Sequence, residues 1–125
     1  MENKVTSHLS RIDAITFVTG DMARSIAFYQ MLGMEVRYGG EASRFTCLSA
    51  GYCHVNLLRG ERDSRELWGR VIFFVEDVDA VYKQVIDAGY ATETQPNNGS
   101  WGERYFHVRD PDGHELSFAK PTTAT

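Results

Sequence analysis

The feature that most restricts what this chain can fold into is a pattern of elements that occurs twice. An extended run at residues 12–18 leads through a turn into a helix-like stripe, and three more extended runs follow at 35–38, 45–49 and 52–58. The same order returns with an extended run at 70–75, a helix-like stripe, and extended segments at 90–93, 104–109 and 114–119. Phe17-Val18 to Gly33 matches Phe74-Val75 to Gly89 to within one residue. Self-similarity at a period of about 55–60 residues is the mark of a duplicated supersecondary unit.

The local signals agree in both copies. Asp21 and Asp77 are N-cap residues, because a short carboxylate can accept the unpaired amides of a first helical turn. Met22, Ile26, Tyr29 and Leu32, and then Val78, Val81, Tyr82, Val85 and Ile86, recur at helical spacing. Gly33 and Gly89 supply the stops, since glycine takes a left-handed conformation without strain. Ala50-Gly51 is a hairpin turn, and Asp110-Pro111-Asp112-Gly113 is a second turn in which proline presets φ and glycine closes the bend.

Alternation gives each strand two faces. One set is apolar throughout: Ile15 and Phe17; Cys53, Val55 and Leu57; Val71, Phe73 and Val75; Phe106 and Val108; Leu116 and Phe118. The helices are expected to cover it. The opposite set mixes chemistry: Ala14 and Thr16; His54, Asn56 and Leu58; Arg70, Ile72 and Phe74; Glu103, Tyr105, His107 and Arg109; Glu115, Ser117 and Ala119. Solvent alone does not call for Phe74 and Ile72, and a dry core does not hold Arg70, Glu115 and His107. A concave, partly wet ligand pocket accounts for both; a subunit interface bordered by solvent is the competing reading.

Composition excludes several classes. A formal net charge of -4 with scattered arginines disfavours a nucleic-acid partner. The mixed stretch at residues 61–66 reads as a solvated linker. No apolar run approaches the roughly 20 residues of a membrane helix, and residues 1–11 lack an apolar leader, so no membrane partner and a cytoplasmic location are expected. Cys47 and Cys53 are expected to be reduced strand residues, because a zinc site needs more ligands than this pair and His54 supply.

The segment Ile12 to Val18, with Asp21-Met22-Ala23-Arg24-Ser25-Ile26-Ala27-Phe28-Tyr29 and Leu32-Gly33-Met34, closely resembles the opening of vicinal-oxygen-chelate modules, the superfamily of glyoxalase, bleomycin resistance protein and extradiol dioxygenase. The run from Phe106 through Asp110-Pro111-Asp112-Gly113-His114 to Phe118 resembles their end. The resemblance implies an α+β fold: two βαβββ modules whose mixed sheets curl into one cleft, with helices on the outer face. It implies a single domain over residues 1–125, with module one at about 10–58, module two at about 68–120 and a linker at 59–67. It also implies a homodimer, with the cleft built within one chain or swapped between chains.

Metal-dependent members place ligands at positions that map onto Ala14, Asn56, Arg70 and Ser117. His or Glu is expected there and none is present. Alanine has no donor atom, and a guanidinium has no lone pair to give and keeps its charge. No metal and no cofactor are therefore expected. An alternative set of His54, His107, Glu115 and Tyr105 is chemically adequate, but no local spacing enforces its convergence.

Trp101-Gly102 resembles a pair that precedes the same strand in bleomycin-resistance-like members. Trp101 would stack on a flat ligand or plug the end of the sheet, and residues 95–99 read as a lid loop. The expected function is a metal-free small-molecule binding protein. It sequesters an aromatic or polar ligand on Asn56, His54, Arg70, Phe74, Trp101, Tyr105 and Ser117. The alternative is an enzyme of the same fold, an isomerase, lyase or dioxygenase, with His107, Glu115 or Tyr105 as acid or base.

Overall fold

The computed structural model describes residues 8, 11–61 and 70–122. Residues 62–67 of the expected linker lie outside the described residues. The order is β1 (Ala14–Thr19), α1 (Met22–Met31), β2 (Glu35–Tyr38), β3 (Phe45–Ala50), β4 (Cys53–Arg59), β5 (Arg70–Phe74), α2 (Val78–Asp87), β6 (Asn97–Asn98), β7 (Glu103–Arg109) and β8 (Glu115–Pro121). Two mixed four-stranded sheets form, β1-β4-β3-β2 and β5-β8-β7-β6. In each, the first strand pairs in parallel with the last, Phe17 opposite Leu57 and Phe73 opposite Phe118. The helix carries the chain from the first strand to the opposite edge, and antiparallel pairing brings it back. The expected α+β architecture of two βαβββ modules is present.

Both helices start as their caps require. Asp21 Oδ1 accepts from Arg24 N and Asp77 Oδ1 from Ala80 N, each at 3.0 Å, contacts worth about 1 kcal/mol apiece. Both end at glycines in the left-handed region, Gly33 at φ 98° and Gly89 at φ 92°. The apolar stripes fill the interior: Phe17, Phe28, Tyr29, Leu48, Leu57, Phe106 and Leu116 are wholly buried. Ile86, read as part of the second stripe, is instead exposed, because α2 buries fully only Val78 and Val85.

Several boundaries differ from expectation. β1 begins two residues late. Its parallel partner β4 reaches only to Cys53, so Asp13 contributes a single carbonyl, to His54 N at 2.8 Å. Residues 90–93 form no strand. The sixth strand is the two-residue β6, inside the segment read as a lid. Its pairing with β7, the Gly99 N to Glu103 O bond of 2.7 Å and the Arg104 bond to Asn98 Oδ1 pin that segment as a hairpin. Arg104 also grips Asp79 through two 2.7 Å contacts, fastening the start of α2 to β7.

The halves are joined across their buried faces. Gln84 in α2 donates to the carbonyl of Met31 at 2.7 Å, and Phe28 meets Tyr90 edge-on at 5.0 Å. The turn between β7 and β8 reaches furthest. Tyr29 Oη donates to Asp110 Oδ2 at 2.7 Å, while Asp110 Oδ1 accepts the amides of Asp112 and His114 at 2.9 Å each. His114 Nε2 lies 2.8 Å from the carbonyl of Val18 in β1, and its ring packs on Phe17 at 4.6 Å. His114 is thus a buried bridge between the halves.

Burial holds the Asp110 carboxyl above its ordinary range, against the lowering pull of the Tyr29 hydroxyl and of His114. A carboxyl whose folded pKa is raised contributes stability that is fully present below its unfolded pKa and is lost as pH rises through the folded value. The Tyr29 donor offsets that loss by stabilising the carboxylate. Tyr29→Phe should therefore cost about 1.5–3 kcal/mol at pH 7, the range for a hydrogen bond to a charged group. The cost should be smaller near pH 4, where more of Asp110 is protonated. Urea denaturation of both proteins at the two pH values measures this; an equal cost at both would show that Asp110 charge plays no part.

Candidate functional site

The faces turned away from the helices form the site, and strand register fixes its rows. On the second sheet, Arg70, Glu115 and Arg109 lie side by side across β5, β8 and β7. The next row is Ile72, Ser117 and His107, and the third is Phe74, Ala119 and Tyr105. No register break occurs in these strands, so Tyr105 faces this side and Phe106 the core, as parity requires. On the first sheet, Ala14 and His54 share one row and Thr16, Asn56 and Cys47 the next. A bulge does occur, but in β2 between Val36 and Tyr38, away from these rows. Cys47 and Cys53 are both free and half-buried, in line with expectation.

A concavity of about 520 Å³ lies where β1, the β3–β4 turn, β4 and β5 meet. Ile12, Ala14, Tyr52, His54, Arg70 and Phe74 are among its walls. Of the residues expected to bind ligand, His54, Arg70 and Phe74 therefore border one cavity. Asn56 sits one row along on β4, its amide 3.4 Å from Thr16 Oγ1. Ile72 and Phe74 remain 63% and 65% exposed. That is uncommon for two large apolar side chains in one strand and suits a surface awaiting cover.

Trp101, Tyr105 and Ser117 belong to a second grouping, a chain of contacts across the same face. Trp101 and Tyr105 meet at a 35° tilt with centroids 5.0 Å apart, and Tyr105 and His107 follow at 4.9 Å. Trp101 is 62% exposed and donates to Glu103 Oε1 at 2.9 Å, so it does not plug the sheet. Its ring lies over Gly99, where a Cβ would come within 2.6 Å of it. His107 Nδ1 then meets Ser117 Oγ at 2.6 Å, and Arg70 Nη1 donates to the same oxygen at 3.1 Å. Arg70 also donates to the Leu116 carbonyl at 3.3 Å and pairs with Glu115 at 3.5 Å. Arg109 joins Glu115 at 3.1 Å to Glu93 at 2.9 Å. This ion row was not foreseen, because Glu93 comes from outside any strand and only folding brings it to β7.

These contacts decide what the face can do. Two arginines are matched by two glutamates, so Arg70 is not a bare cation waiting for an anion. Glu115, a candidate base, has each oxygen against a different arginine. His107 is held below its ordinary pKa, chiefly by burial and then by Arg70, against the opposing pull of Glu93 and Glu115. A neutral imidazole is the result at neutral pH.

The residues at the positions that the family resemblance assigns to metal ligands do not fit a metal. Ala14 has no donor, and Arg70 occupies the near side of Ser117 with a positive charge. Among the described residues, no group of three His, Cys, Asp or Glu side chains converges as a metal site, so the alternative set of His54, His107, Glu115 and Tyr105 is not assembled. No helix among the described residues is long and apolar enough to cross a membrane.

Comparison with known proteins agrees with this architecture. The chain is 26% identical over 121 residues to the uncharacterised protein YraH of Bacillus subtilis, a match spanning 85% of this chain and 94% of that one. Among solved structures it superposes on a bleomycin-binding protein complexed with bleomycin, with a TM-score of 0.74 at 19% identity, covering 90% of this chain and 98% of the other. It superposes equally on lactoylglutathione lyase from Agrobacterium tumefaciens, with a TM-score of 0.73 at 18% identity over 89% and 93% of the two chains. At such identities the likeness carries the fold alone. The family model of the Glyoxalase/Bleomycin resistance protein/Dioxygenase superfamily matches residues 11–118, and the chain belongs to that superfamily.

Proposed function

We propose that this chain is a metal-free small-molecule binding protein of the glyoxalase/bleomycin-resistance type, holding an aromatic or polar ligand against the concave face. The observation that carries the reading is the 3.1 Å bond from Arg70 to Ser117. Two of the positions that hold metal in other members are here joined to each other by a guanidinium. A divalent ion placed between them would meet a fixed positive charge a few ångströms away, a repulsion of several kcal/mol even at an effective dielectric of about 20. What remains is a binding surface. Phe74, Ile72 and the Trp101–Tyr105 pair offer apolar area, with His54, Asn56 and His107 at intervals for direction. The bleomycin-bound neighbour supports the idea that this architecture can serve binding.

The same reading includes a homodimer in the cytoplasm. A second copy would cover Ile72 and Phe74, the apolar side chains left bare on this face. Light scattering should give twice the chain mass, and Ile72→Glu should return it to one. A wild-type monomer at micromolar concentration would remove the dimer from the proposal.

Protein purified without added metal should carry far less than one equivalent of iron, manganese, nickel or zinc. Stoichiometric metal that disappears in His107→Ala or Glu115→Ala would overturn the metal-free reading. In a thermal-shift screen, flat aromatic compounds should raise Tm, and a ligand at 100 times its Kd should add about 2.7 kcal/mol. Phe74→Ala should blunt the shift. If no aromatic compound stabilises the protein, the binding reading loses its support.

A further inference from the structure

We propose that Arg70, Ser117 and His107 form a relay that fixes His107 in the Nε2–H tautomer, so that the outer edge of the ring is a hydrogen-bond donor and selects an uncharged acceptor atom on the ligand. The inference rests on the concave face being the ligand site.

A guanidinium can only donate, so the Arg70 contact at 3.1 Å makes Ser117 Oγ an acceptor. Ser117 is 3% exposed, and the remaining partner of its hydroxyl is His107 Nδ1 at 2.6 Å. If Nδ1 carried the proton, Oγ would accept twice and its own hydrogen would point at nothing in a dry site. An unmade bond of that kind costs about 1–3 kcal/mol. With Nδ1 bare, every group is satisfied in one direction: Arg70 donates to Ser117 and Ser117 donates to His107. The proton must then sit on Nε2.

Nε2 makes no hydrogen bond among the described residues, and its ring leans on Tyr105 at 4.9 Å. A donor with no partner among the described residues thus stands beside the Trp101–Tyr105 pair. Among the described residues, the charged groups around it are Arg70 from β5, Glu115 from β8, Arg109 from β7 and Glu93 from the segment before β6, two of each sign. A full carboxylate gains little from so balanced a surface. A carbonyl oxygen or an aromatic ring nitrogen, on a flat molecule lying over the aromatic pair, matches both the donor and the neutrality. Protonating the ring would reverse the relay, because both nitrogens would donate and the Ser117 hydroxyl would lose its acceptor.

Two-bond nitrogen–proton correlation spectra of the ligand-free protein at pH 7.5 read the tautomer directly. The expected result is an unprotonated Nδ1 and a protonated Nε2 at His107. Ser117→Ala should turn this into a mixture, and Arg70→Gln should move the His107 titration to higher pH. A protonated Nδ1 in the wild type, or a pattern unchanged in Ser117→Ala, would overturn the relay.

Quinoline and indole are flat bicyclic probes that differ in presenting an acceptor and a donor nitrogen. Quinoline should shift the His107 Nε2 signal and the backbone signals of Tyr105 at concentrations where indole does not, and His107→Ala should abolish the preference read at Tyr105. Equal shifts from both would overturn the acceptor assignment. If the tautomer is as stated but neither probe moves any signal of the concave face, the ligand site itself is wrong and the acceptor assignment falls with it.

Discussion

Among the contacts that join the two halves, one buried carboxylate organises the most. Asp110 sits in the β7–β8 turn of the second half and takes the hydroxyl of Tyr29 from the helix of the first. Its other oxygen organises the turn by accepting two backbone amides, and so presents His114 to the end of β1. A buried carboxylate is costly unless several donors surround it. The geometry that satisfies it is therefore sharply defined. Because β7 and β8 leave from this turn, their placement against β1 follows from it, and so does the alignment of the two concave faces.

The concave face repeats the principle with a different outcome. There, too, charges are paired: Arg70 with Glu115, and Arg109 with Glu115 and Glu93. These pairs are partly solvated, so they contribute little to stability. Their effect is to spend the cations on protein partners. Arg70 and Ser117, two of the positions that the family resemblance assigns to metal ligands, thereby join a row of contacts that runs through His107 and Tyr105 to Trp101. Under the proposed function, a scaffold that elsewhere supports other chemistry would here present a directional and aromatic surface.

The duplicated pattern was legible before any coordinates because each half announces itself by local rules. Asp21 and Asp77 cap, Gly33 and Gly89 terminate, and alternation separates Phe73 from Phe74. Those signals act within a few residues. Elements that need a partner are less legible. The start of β1 and the lack of a strand at residues 90–93 are not local properties, because a strand exists only where another strand receives its hydrogen bonds. Residues 97–98 read as part of a lid because two asparagines carry no strand signal; their order comes from β7. The role of His114 is not local either, because its acceptor, Val18 O, is 96 positions away.

The site divides along the same line. Which side chains share a face is a local matter, since parity is a property of each strand alone, and so are the missing donor atom at Ala14 and the permanent cation at Arg70. What that cation does depends on the fold. Strand register, set by pairing over tens of residues, laid Arg70 across Ser117 and beside Glu115, and brought Glu93 to Arg109. Hydrogen-bond direction and charge balance arise between elements, so no single stretch of the chain contains them.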